Sequence, residues 1–235
     1  MIADVTITST GLLVHNFCQI SFQRFPCPSD GVLEHAMRSW GALPVGSLGD
    51  ARFAIPLEQH EAVWLGVHLV DDVESPDAAC LNITAIRSES TAVDLLSGER
   101  DDADRHRERG GFYIPTVTGI DGIRRADGRM DAIAGPGAPR VGVDRLEFGL
   151  TASRRHERRR RPESSGRLAA FDAPASGPLP ANAACHPDDR AMWDVDRRVA
   201  FVVALLTGAE FTAATGLRPP EPMSDRDPYR GWRFP

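Results

Sequence analysis

Leu12-Leu13-Val14-His15-Asn16-Phe17-Cys18-Gln19-Ile20-Ser21-Phe22-Gln23-Arg24-Phe25 is the stretch from which the fold is read. Phe17, Cys18, Ile20, Phe22 and Phe25 are interleaved with Asn16, Gln19, Ser21 and Gln23. An alternation close to period two puts apolar side chains on one face of an extended chain and polar ones on the other. The stretch therefore predicts one long half-buried strand, a member of a pair, ended by Pro26-Cys27-Pro28. Just ahead of it, residues 4–9 alternate around Val5 and Ile7, with β-branched Thr6 and Thr8 on the other face, and Gly11 permits a turn.

Outward from this nucleus the same signals recur. Ala62-Val63-Trp64-Leu65-Gly66-Val67-His68-Leu69-Val70 is nearly continuous in apolar character, which suits a strand buried on both faces, although periodicity alone leaves a buried helix open. Residues 80–86, 111–118, 140–152 and 199–206 read as further strands. Asp127-Gly128 is the best hairpin turn, because both residues tolerate the positive φ of a tight reversal. Helix is expected in three short pieces. Residues 34–40 fit a single turn. Residues 88–96 fit a short helix with Ser88 as N-cap and Gly98 just past its end. Thr207-Gly208-Ala209-Glu210 has capping-box spacing and opens a helix ended by Gly216 and Pro219-Pro220. The two strand-then-helix units form a possible repeat. With 18 prolines and 21 glycines in 235 residues, this is a mostly-β or α+β protein. Its expected organisation is a β-sandwich-like body over 1–152, an Arg-rich linker or disordered loop over 153–180, and a C-terminal strand–helix unit over 181–235 packing on the body.

All 27 basic residues are arginine. A chain without lysine has no Schiff-base lysine for pyridoxal or aldolase chemistry, no phosphate-binding loop ending in Gly-Lys-Ser/Thr, and no kinase strand lysine. The net charge of −6 argues against general affinity for nucleic acid. Charge is unevenly placed: residues 1–150 carry a net −9, residues 151–170 a net +5. That basic island holds Arg154, Arg155, Arg158, Arg159, Arg160 and Arg161, a candidate arm for phosphates or an acidic partner, without an interleaved aromatic to stack on bases. Cys18, Cys27, Cys80 and Cys185 form no Cys-x-x-Cys pair and are expected as buried, reduced thiols. The N-terminus lacks a signal-peptide pattern and no apolar run spans a membrane, so the cytoplasm is the expected location.

Candidate chemistry is sparse. His60 and His68 stand about 26 Å apart if extended and about 12 Å apart if helical, too far to share a metal. Cys185-His186 with Asp188-Asp189 superficially has thiol, imidazole and carboxylate, but neighbours in sequence point apart whereas triads converge from distant positions. Gly135-Pro136-Gly137 is a turn, not a dinucleotide loop, and Gly46-Ser47-Leu48-Gly49 lacks nucleophile-elbow spacing. Glu58 with Glu61, or Asp71 with Asp72, supply carboxylate pairs of no specificity in a chain with 33 acids.

Three stretches together resemble a group of uncharacterised proteins of high-GC bacteria and fungi. They are residues 55–65 (Ile55-Pro56-Leu57-Glu58-Gln59-His60-Glu61-Ala62-Val63-Trp64-Leu65), Tyr113-Ile114-Pro115 leading to Gly119-Ile120-Asp121-Gly122, and residues 206–216 with Pro219-Pro220. The resemblance covers about half the chain and implies a shared fold, with no activity, cofactor or catalytic residue attached. A Tyr229, Trp232 and Phe234 cluster loosely matches that group's ending, and Trp232 is the expected anchor of a tail docked on the body or on a second subunit. The leading functional expectation is a non-enzymatic binding or assembly module with no cofactor or metal, whose partner is a protein or a second copy of the chain. The alternatives are a lysine-independent enzyme using carboxylate or histidine acid–base chemistry, and an arginine-arm binder of nucleic acid or an acidic partner.

Overall fold

The computed structural model describes residues 4–35, 37–70, 76–87, 91–99, 110–125, 127–154, 184–185 and 191–221. In chain order the first strands are β1 (Val5–Thr8), β2 (Gly11–Val14), β3 (Cys18–Pro26), β4 (Gly46–Gly49), β5 (Arg52–Pro56), β6 (Glu61–Leu69), β7 (Ala79–Arg87) and β8 (Ala92–Asp94). There follow β9 (Gly98–Glu99), β10 (Gly111–Ile114), β11 (Gly119–Ile120), β12 (Gly122–Arg124), β13 (Met130–Ala134), β14 (Val143–Ser153), β15 (Ala184–Cys185) and β16 (Trp193–Leu206). Among the described residues one helix, α1 (Gly208–Thr215), follows the last strand. The protein is mostly β, with α1 following the last described strand.

The strands form two sheets. One runs β1-β2-β3-β6-β13-β12, with β11 also on β6; the other runs β15-β10-β7-β14-β16-β5-β4, with the β8–β9 hairpin on β7. Alternation decides what lies between them. Leu12, Ile20, Phe22, Leu65 and Val67 of the first sheet share one buried cluster with Leu81, Ile83, Leu146, Phe148, Phe201 and Val203 of the second. Phe22 meets Phe148 edge-on across the layers at 6.3 Å between ring centroids, and Phe148 stacks on Phe201 at 4.7 Å. Each such side chain contributes about 1.5–3 kcal/mol when removed from water. A second cluster of Phe25, Leu33, Ala62, Met130 and Val141 covers the opposite side of the first sheet. At the edge between layers, Arg87 of β7 bridges Asp131 of β13 at 2.9 Å.

Several expectations hold. The 62–70 run is the strand β6, Asp127-Gly128 turns β12 into β13 with Gly128 at φ +82°, and α1 carries its capping box. Three do not. The 12–25 stretch is two strands, because His15 and Asn16 take left-handed φ of 49° and 61° and fold β2 back on β3. Residues 92–99 are a hairpin, not a helix. Asp94 Oδ1 accepts from Leu96 N, Ser97 N and Ser97 Oγ, fixing a turn that Gly98 completes at φ +82°. The strand–helix repeat therefore has no first copy. The described part of 34–40 holds no helical turn; its neighbours bridge to the sheet instead, Val32 to Asp131 and Ala42 to Gln23.

Strand β16 brings an early and a late segment of the chain together. It is inserted between β14, antiparallel, and β5, parallel, with Val202 N donating to Ala51 O at 3.0 Å. Helix α1 then lies on β4 and β5, where Gly46 is required: a Cβ there would collide with Thr215.

Candidate functional site

Three rows of side chains cross the outer face of the nine-stranded sheet, the face turned away from the shared core. Pairing puts Cys80, Thr151 and Arg198 in one row, Asn82, Gly149 and Ala200 in the next, and Thr84, Glu147, Val202 and Arg52 in the third. The middle row is small at Gly149 and Ala200, so a trough runs across the strands with taller rows on both sides. Its hollow measures about 330 Å³ and is also bordered by Asp50 and Ala51 of the β4–β5 turn. A Cβ on Gly149 would lie 3.5 Å from the Arg198 guanidinium, which is folded over that glycine. Asn82 donates to Gly110 O at 2.7 Å, and Arg145 Nε engages Glu147 at 3.0 Å. The trough is bordered by guanidinium, amide and hydroxyl groups, the side-chain types that hydrogen-bond oxygen acceptors.

At one end of the trough a third apolar cluster forms from Ala78, Cys80 and Trp193, with Tyr113, Cys185 and Met192 against it. Cys185 Sγ lies 2.6 Å from Cys80 Sγ and 3.4 Å from Gly111 O. Burial pushes the Tyr113 phenol up, helped by Cys185 and Asp77. Thr151 Oγ1 and Trp193 Nε1 are sealed in this region with no hydrogen-bond partner among the described residues.

A second hollow, of about 280 Å³, brings Cys27 and His60 together with Gln59 and Pro139. Burial, with Asp30 adding, pushes the Cys27 thiol up to about 11. Catalytic thiols are held low, so this thiol is not an activated nucleophile. Burial likewise drives Cys18 to about 12.

Of the carboxylates singled out by sequence, Glu58 and Glu61 have structural work. Glu58 Oε1 accepts from Gly208 N at 2.9 Å, at the first turn of α1. Glu61, 2% exposed, pairs with Arg24 at 3.3 Å and accepts from Glu58 N. His60 immediately precedes β6 and His68 lies near its far end, separated along an extended chain. Of the arginine run, Arg154 is described: its Nε donates to Trp193 O at 3.1 Å and its backbone N–H to Met192 O, which ties β14 to the start of β16. Arg155, Arg158, Arg159, Arg160, Arg161 and Trp232 lie outside the described residues, as do Asp71, Asp72, His186, Asp188 and Asp189. Among the described residues no cluster of His, Cys, Asp or Glu has metal-ligand geometry, and no helix is long and apolar enough to cross a membrane.

Sequence reasoning missed the trough and the Cys80–Cys185 contact. The trough is a product of register, which brings Gly149 level with Ala200 and Asn82 across three separate strands. The thiols are 105 residues apart in the chain. Comparison with protein families, with curated proteins and with solved structures finds no match for this chain.

Proposed function

We propose that the protein is a non-enzymatic binding module whose ligand, a small organic anion, lies in the trough on the outer face of the nine-stranded sheet. The observation that carries this reading is the row Asn82–Gly149–Ala200, low at its centre and flanked by Arg198 on one side and by Arg52 and Thr84 on the other. A hollow of about 330 Å³ is at the small end of ligand sites. Two guanidinium groups with neighbouring amide and hydroxyl donors favour carboxylate or phosphate oxygens. Glu147, the acidic side chain of the third row, is engaged by Arg145 at 3.0 Å. The cytoplasm is the compartment we assign, where structural disulfides are rare and the disulfides that do form are mostly redox-active ones.

Thermal-shift screening against dicarboxylates, sugar phosphates and their neutral analogues tests this. At a hundredfold excess over Kd, binding to the folded state stabilises by about 2.7 kcal/mol, a rise of about 5 °C or more for a chain of this size. The expected result is a saturable rise with anions alone, abolished by Arg198→Ala and by Gly149→Val. Valine at 149 puts a branched side chain into the trough at a strand position where a Cβ meets only ordinary contacts. Absence of any anion-dependent shift, or one indifferent to Gly149→Val, refutes the reading.

A further inference from the structure

We propose that Cys80 and Cys185 are a redox site, whose substrate is a low-molecular-weight disulfide and whose product is an internal disulfide closed over Gly111. The site adjoins one end of the trough, but its chemistry needs no ligand there. Three observations carry it. The first is proximity: the two sulfurs are 2.6 Å apart although they belong to β7 and β15, strands separated by β10. The second is space. Gly111 of β10 lies beneath the sulfurs, and a Cβ on it would collide with Cys80 Sγ, so glycine at this position is what lets the thiols meet over the intervening strand. The third is asymmetry of access. Cys80 is fully buried beside Trp193, while Cys185 is half-buried at the sheet's end.

That asymmetry sets the order of events, since exchange needs an accessible attacking thiolate. Cys185 loses its proton and attacks one sulfur of the substrate RS–SR, forming a Cys185–S–SR mixed disulfide and releasing RS⁻. Cys80 then gives up its proton, attacks Cys185 Sγ and expels the second RS⁻. Two protein thiols are oxidised and one external disulfide is reduced to two thiols, so atoms and electrons balance. The new bond fixes β15, which is otherwise held to β10 through the pairs Gly111–Cys185 and Phe112–Ala184. It also closes a loop spanning 105 positions, which restricts the unfolded chain and stabilises the oxidised form.

The full chain suits a direct test. Having no lysine, it is cut by trypsin only after arginine, and its cysteines fall on four separate peptides: 1–24, 25–38, 53–87 and 168–190. The folded protein is incubated with glutathione disulfide, alkylated, digested and mapped by mass spectrometry. The expected product is peptide 53–87 joined to 168–190, with Cys18 and Cys27 still alkylated and a melting temperature that rises and falls back with dithiothreitol. Cys185→Ser, a change at a half-buried position, should remove the cross-link, and Cys18→Ser should leave it intact. The proposal is overturned if all four thiols stay reduced, if a glutathione adduct persists on Cys185 without resolution, or if the link joins Cys18 or Cys27.

Discussion

Thr151 sits on β14 with its side chain fully buried, and its hydroxyl has no partner among the described residues. An unsatisfied buried hydroxyl costs desolvation that a same-shaped apolar group avoids. Thr151→Val is therefore expected to raise the urea midpoint by the equivalent of about 1 kcal/mol; a fall would mean that a partner holds the hydroxyl. Asp121 makes the opposite kind of burden, one that depends on pH. Burial raises its carboxyl pKa, so the folded state resists ionisation. The penalty is absent below the unfolded pKa, grows as pH rises towards the folded value, and is complete above it. Asp121→Asn should thus leave stability unchanged in acid and increase it at neutrality, as read from urea midpoints at both. Neither residue stood out in the sequence as costly. Thr151 is one β-branched residue in a strand, and Asp121 is one of 33 acids.

Among the elements, α1 was the most legible, since its signals are local. Thr207 Oγ1 accepts from Glu210 N, Glu210 Oε2 accepts from Thr207 N at 2.9 Å, and Gly216 ends the helix at φ +72°. The Thr207 hydroxyl and backbone hold the Glu210 carboxyl below the usual glutamate range. Its contribution is present above the unfolded pKa and is lost as pH falls through the lowered one. Thr207→Ala should cost about 1 kcal/mol at neutral pH, and less in acid, when Glu210 is protonated in both proteins; thermal melts at the two pH values compare them. A penalty independent of pH would show that Glu210 plays no part. The same cues mislead at 88–96, where Ser88 and Gly98 look like caps. There Asp94 collects three donors and makes a hairpin turn, a side-chain choice that helix periodicity does not register. The 12–25 stretch hides its turn for a related reason: His15 and Asn16 adopt a left-handed pair without glycine, so nothing in the alternation announces the reversal.

At the scale of the whole molecule, the strand character of 199–206 was legible and its place was not. Apolar runs show that a segment is buried, whereas a parallel partner such as β5, at the pair Val202–Arg52 far earlier in the chain, is settled only when the layers assemble. That placement is the central structural claim, because without β16 between β14 and β5 the trough loses Arg198, Ala200 and Val202. Hydrogen–deuterium exchange of the intact chain measures it directly, since core strands open only with global unfolding. The amides of Val199, Phe201, Val203 and Leu205 are expected to exchange as slowly as those of Leu146, Phe148 and Leu150. Exchange of 199–205 well ahead of β14 would contradict that placement, and with it the site built on β16.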